Sequence, residues 1–258
     1  MQLYLKFLGI HLKSQMQYKA SLFLTLMGQF LGSTMALIGI YFMYTRFHTI
    51  EGFTYSQTLF CFATVLVAFS LASTFGRGFE SFTQMISNGE FDWALVRPMN
   101  IIYQVLAAKM ELSRLGLLVQ SVVLFCYAVP RSGIAWTWYK VLTVCLMICC
   151  GCLIFFGLFL LYAGITFFTL EGLELMYILT TGGLEFGRYP YAVYGKNVLH
   201  FLTYVVPLAL FQYYPFLYLL DREQSIAYML SPLFGLPFIV LSYAFFRFGL
   251  YHYKSIGS

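Results

Sequence analysis

The sequence predicts an all-α integral membrane fold with about six transmembrane helices, and three observations carry that prediction. The first is scarcity of charge. Of the 258 residues 60% are apolar and 10% charged, against roughly a quarter charged in soluble domains, and mean hydropathy is +0.78. So few charges cannot cover a globule in water, so much of the surface must face lipid. The second is a series of apolar runs near the roughly 20 residues that a helix needs to cross a bilayer. The third is their continuity. Barrel strands would alternate in short segments, and only helices or closed barrels satisfy the backbone in lipid.

The spans are predicted in order over residues 20–44, 58–75, 108–129, 141–170, 198–220 and 229–246. The first, second and fourth hold no charge, and the fourth is unusually long. The third carries Glu111 and Arg114 in its first turns, three apart, read as an ion pair at the membrane border. With both termini in the cytoplasm, the outer loops hold Arg46, Arg131, Lys140 and Arg222. The other eleven of the fifteen Lys and Arg then lie inside, as the positive-inside rule requires. Tyr41, Tyr44, Trp136, Trp138, Tyr139, Tyr251 and Tyr253 fall at the borders, where aromatic belts sit.

The whole chain, 1–258, reads as a single transmembrane domain with three special segments. Residues 3–19 place Leu5, Leu8, Leu12 and Met16 on one helical face and Lys6, Lys13 and Gln17 on another. This predicts an amphipathic helix within 1–19 lying in the membrane interface. The segment precedes an apolar run too long for a signal peptide, so no cleavable leader is expected. Residues 76–107 form a long inside segment. Residues 171–197 form a second, expected to fold against the membrane surface or partly re-enter.

Several classes of chemistry find no support. No basic run is dense enough for a nucleic-acid groove, so no nucleic-acid partner is expected. No GxxxxGK[ST] loop is present to cradle ATP phosphates, and no HExxH, GxSxG or paired-acid motif occurs. Cys61, Cys126, Cys145, Cys149, Cys150 and Cys152 all lie in apolar stretches without His or carboxylate nearby. They read as small packing residues, with no metal expected and no role assigned to the cluster at 145–152. Span cores without carboxylates argue against a proton-coupled carrier. Gly28, Gly32, Ala36 and Gly39 form a small-residue stripe along the first span, read as a helix-packing or dimer interface. Pro207, Pro215, Pro232 and Pro237 are candidates for breaking the last two spans.

The most informative stretch is ISNGEFDWALVRPMN, residues 86–100. Asn88 and Gly89 read as a turn before a short helix that Pro98 must end. The stretch mixes the apolar anchors Phe91, Trp93, Leu95 and Val96 with Glu90, Asp92 and Arg97. A short amphipathic helix on an inside loop either docks a soluble partner or rests on the lipid surface. The pattern I-x-x-G-x-[FL]-D-x-x-L-x-R-P after the second span resembles the permease subunits of ABC type-2 exporters. So do RYPYAVYG (188–195), VVPLALFQYYPFLYLL (205–220) and MQYKASL (16–22), in the right order along the chain.

The resemblance implies the transmembrane subunit of an exporter at the plasma membrane, without an ATPase site or bound cofactor of its own. ATP would be used by two copies of a separate ABC ATPase subunit. A second permease, identical or related, would complete the substrate path within the membrane lipid. Residues 76–107 would carry the coupling helix, with Glu90, Phe91, Asp92, Trp93, Arg97 and Pro98 at the ATPase interface. An amphipathic or lipophilic substrate is expected from the abundance of Tyr and Phe. The alternatives are a membrane scaffold or assembly subunit, or a lipid-modifying enzyme built on tyrosines with Glu185 and Arg188.

Overall fold

The computed structural model describes residues 14, 16–109, 111–169 and 173–254. Among these every regular element is helical, apart from an isolated bridge between Ile50 and Phe53. α1 (Lys19–Arg46) and α2 (Tyr55–Glu80) form a first hairpin. Three short helices follow: α3 (Phe82–Ser87), α4 (Glu90–Val96) and α5 (Ile101–Ala108). α6 (Leu112–Ala128) and α7 (Trp138–Thr166) follow, joined through a 3-10 turn at Val129–Arg131, and each packs against α2. α8 (Leu173–Phe186), α9 (Lys196–Tyr204), α10 (Leu208–Leu219), α11 (Ile226–Phe234) and α12 (Pro237–His252) complete the chain. Five helical stretches are long and apolar enough to cross a membrane, or six if α9 and α10 count as one. The chain is an all-α multi-pass membrane protein.

α2 is the hub because it is apolar on every side, and a helix of that kind belongs in the interior. Its apolar window is 89% buried, whereas that of α1 is only 11% buried. The hydroxyls on α2 cost little there because they find partners at once. Thr64 donates to the carbonyl of Phe60 at 2.9 Å, and Ser70 meets Ser121 of α6 at 2.8 Å. Across α2 and α7 the rings of Phe69 and Phe155 meet edge to face at 5.2 Å, and Phe155 in turn meets Phe211 of α10. Such ring pairs add about 0.5–1.5 kcal/mol beyond area burial.

The two ends of the bundle differ. One carries the short turns at 47–54, 132–137 and 220–225. Here Lys140 pairs with Asp221 at 2.7 Å, and Arg222 lies over the Phe53 ring at 4.0 Å while donating to the carbonyls of Glu51 and Gly52. The other end carries α3, α4 and α5 with the C-terminal end of α12.

The fifth span expected over 198–220 is two helices, α9 and α10, bent by 113° at Val205–Pro207, at one of the four prolines singled out as candidates for breaking the last two spans. Pro207 offers no N–H to continue the ladder and disfavours helical geometry in Val206, so the chain turns there. Of the two arrangements expected for 171–197, surface-lying or partly re-entrant, the described part takes the inward one: Tyr191 is fully buried in the main core, and Gln212 donates to the carbonyls of Gly187 and Tyr189 at 3.1 and 3.4 Å. The amphipathic helix expected within 1–19 lies mostly outside the described residues.

Candidate functional site

α2 runs past its apolar window to Gly78, Phe79 and Glu80, and there the chain folds into α3, α4 and α5. Gly78 permits a close crossing: a Cβ built on it would stand 1.8 Å from the carbonyl oxygen of Val105 in α5. After α3, Asn88 and Gly89 donate back to Gln84 and Ile86 at 3.0 and 2.9 Å, and Gly89 takes φ +71 to reverse the chain. That left-handed geometry suits glycine because no Cβ opposes it. α4 then begins with Glu90 and Asp92 in its first turn, where carboxylates complement the positive end of the helix. Arg97 is extended ahead of Pro98, which ends the helix. Asn100 caps α5 by accepting from the Ile102 N–H at 3.0 Å.

α4 has one buried face and one bare face. Phe91 is wholly buried, its ring 5.0 Å from that of Phe82, 5.1 Å from Tyr253 and 5.5 Å from Phe167. Ala94, one turn on, is buried beside it. Trp93 is 75% exposed and Val96 82% exposed, with Arg97 and Pro98 exposed beyond them. Asp92 stands between the faces and accepts from the Tyr253 hydroxyl at 3.0 Å. Burial, and then this hydrogen bond, push the Tyr253 phenol up to about 12, so it donates throughout the physiological range.

The end of α4 is held from within. Gln104 on α5 donates to the carbonyls of Ala94 and Met99, both at 3.0 Å. Gln104→Leu leaves two carbonyls without that donor and is expected to cost about 2 kcal/mol locally. Hydrogen exchange over residues 94–104 should quicken in this variant, with the rest of the bundle unchanged. Further in, Arg114 pairs with Glu80 at 3.0 Å and with Glu111 at 3.7 Å, and Lys109 donates to Gln84 at 3.0 Å. The Arg114–Glu80 pair fastens the start of α6 to the end of α2, and Lys109 ties the segment before α6 to α3.

The interface group expected at 90–98 is therefore divided. Glu90, Trp93, Arg97 and Pro98 share the accessible side, and Asp92 is half-buried. Phe91 is a correction: sealed among three rings, it anchors α4 and reaches no partner. Two more residues are exposed beside this group: Val96, named among the apolar anchors of the stretch but left out of the interface group, and Tyr103, 65% exposed on α5 and not singled out. Val96 lies three positions from Trp93 and was readable from helical spacing. Tyr103 joins only through the fold-back of α5, which no local pattern announces.

The small-residue stripe also divides. Ala36 is buried with Ile40 and Tyr44 against Phe62 and Leu66 of α2. Gly28, Gly32 and Gly39 have nothing within 4 Å of a built Cβ and lie on the exposed face of α1. All six cysteines are free thiols, and among the described residues no three His, Cys, Asp or Glu side chains gather.

The profile of the family described as ABC-2 family transporter protein matches residues 30–257, nearly the whole chain. The chain belongs to the ABC-2 transporter family. No curated protein and no solved structure matches it. Membership makes the chain the membrane-embedded permease component of an ABC transporter and implies an ABC ATPase subunit as its partner. In this ABC-2 permease the matched span takes in α2 through α12, and with them the α3–α5 unit and its bare face.

Proposed function

We propose that the protein is the permease of an exporter that moves an amphipathic or lipophilic substrate out of the cytoplasm across the plasma membrane. On this reading both termini and residues 76–107 are cytoplasmic, as the bias of Lys and Arg supports. Two copies of a separate ATPase subunit use the ATP, and a second permease, identical or related, completes the path. The observation that carries the reading is the bare strip of Trp93, Val96 and Arg97 on a helix whose other face is anchored in the bundle. Trp and Arg dominate the energetic centres of protein interfaces, and a strip so placed fits a groove on a soluble partner. Glu90, Asp92 and Pro98 flank the strip.

ATP binding closes the two ATPase subunits and drags α4 with them. Phe91 carries that displacement inward, because its ring touches Phe167 beyond the end of α7 and Tyr253 beyond the end of α12. Rocking of the helical bundles then opens the path outward. Tyr253→Phe removes the hydrogen bond to Asp92, worth about 1–2 kcal/mol, while keeping the ring in place. ATPase co-purification should be retained and transport per ATP hydrolysed should fall several-fold. The reading as a whole is tested in inside-out vesicles holding the permease and its ATPase. A fluorescent amphiphile should accumulate when ATP is added and should not accumulate with either subunit alone. Equal accumulation by the permease alone would overturn it.

A further inference from the structure

Two interrupted helical stretches lie side by side on one flank of the bundle. One is broken between α9 and α10 at Val205–Pro207, the other between α11 and α12 at Gly235–Leu236. A single cleft of about 620 Å³ crosses both breaks, lined by Val205 and Pro207 from the first and by Gly235 and Pro237 from the second. Its depth can be read from α7. A Cβ on Gly235 would stand 2.6 Å from Cδ1 of Ile154. Ile154 is about 24 Å from Trp138 and about 18 Å from Thr166 along α7, at about 1.5 Å per residue. The breaks therefore meet near the middle of the bilayer.

The two breaks differ: at Gly235–Leu236 the helix only tightens, with the N–H groups of Gly235, Leu236, Phe238 and Ile239 bonded three residues back at 3.1–3.2 Å, whereas at Pro207 the chain turns sharply and the proline has no N–H to offer. Irregular backbone is tolerated in the hydrocarbon layer only where protein buries it or where it lines a cavity. This cavity has a specific chemistry. No Asp, Glu, Lys, Arg or His is among its described lining residues. Its side-chain polar groups are hydroxyls: those of Tyr204 and Tyr228, Tyr214 and Thr203 3.2 Å apart with Thr203 donating to the Leu199 carbonyl at 2.6 Å, and Ser231, within 3.0 Å of the Leu210 carbonyl and 2.8 Å of the Tyr228 carbonyl. The rim is bare and apolar, with Tyr204 81%, Phe234 64% and Leu241 68% exposed. A ligand reaching it comes through the acyl layer.

We propose that this cleft binds an uncharged lipophile bearing a hydroxyl or carbonyl group, admitted sideways from the bilayer between the two helix breaks. The absence of a charged wall excludes a carboxylate or ammonium at this depth, since burying either unpaired costs several kcal/mol. The hydroxyls supply one polar anchor, and a volume within the range of about 300–1,000 Å³ suits a single small ligand. The inference rests on the membrane-embedded reading of the Proposed function and refines its substrate class. It does not depend on the energy source.

The test uses the full-length permease alone in phosphatidylcholine nanodiscs, with a long-chain alkanol carrying a photoactivatable diazirine as the probe. Labelling of peptides spanning 203–214 and 227–241 should saturate and be competed by excess dodecanol. Labelling of the bare face of α1 around Phe30 and Met35 should rise without saturation. Decanoate should compete at least about tenfold less well than dodecanol, the penalty for bringing a carboxylate into an apolar site. Ser231→Phe, which fills the cleft, should abolish the saturable part. If that variant melts or elutes abnormally, Ala227→Phe serves in its place.

Saturable labelling equally strong on α1, insensitivity to a folded filling variant, or equal competition by decanoate would overturn the proposal. So would protection of both peptides in a dimeric sample, which would mean that a second copy covers the cleft. Because no ATPase is present, such failure would leave the exporter reading standing.

Discussion

Replacing Trp93 and Arg97 together by alanine is expected to release the ATPase from the purified complex while leaving the membrane bundle folded. Trp93 is three-quarters exposed and Arg97 lies beyond the last turn of α4, so neither supports the core. Exposed substitutions of this kind change stability by about 0.5 kcal/mol or less. At a protein interface, truncating a central Trp and its neighbouring Arg removes on the order of 3 kcal/mol, on the order of 100-fold in Kd. Measured as ATPase retained on immobilised permease, binding should fall by that factor with an unchanged melting temperature in detergent. Phe91→Ala gives the informative contrast. It empties a site among three rings and is expected to cost about 3–5 kcal/mol. Binding is then lost together with the local fold.

Gly78→Ala is the second large effect. The added methyl would meet the Val105 carbonyl at 1.8 Å and its carbon at 2.6 Å. Both are backbone atoms and cannot rotate aside. Overpacking usually costs about 1–3 kcal/mol where side chains can adjust, so this substitution should reach about 3 kcal/mol or more. The strain falls on α5, and α5 holds the end of α4 through Gln104. Thermal stability and ATPase retention should therefore drop together. Gly28→Ala, where nothing lies within 4 Å, should change neither in the single chain. A Gly28→Ala variant as unstable as Gly78→Ala would contradict the crossing of α2 and α5.

Much of the fold was legible because bilayer thickness dictates how long an apolar run must be. α1, α2 and α7 follow directly from uncharged stretches. Hydropathy reports composition and not direction, so the turn within residues 198–220 was announced only by its prolines, which did not show which of them would make it. Pro207 and Pro215 make the point: the first stands at a break of 113°, the second within α10. Pro207 stands ahead of the first turn of α10 and Pro215 is buried within it, a difference of tertiary setting that the residue type does not carry. At the candidate site the missed inference was available. Phe91 and Trp93 are two residues apart, about 200° round a helix with 3.6 residues per turn, so one helix cannot present both to a partner. The same geometry places Val96 and Arg97 beside Trp93. Tyr103 was out of reach, because its place depends on a tertiary crossing at Gly78.

The most direct test of the central claim is site-specific photocrosslinking of the native complex in membranes, with a photoreactive residue in place of Trp93 or of Trp136. Trp136 lies at the opposite end of the bundle, beside Phe60. A crosslink from position 93 to an ATP-hydrolysing chain, absent from position 136, is the predicted result. A crosslink to that chain from position 136 and none from position 93 would contradict it.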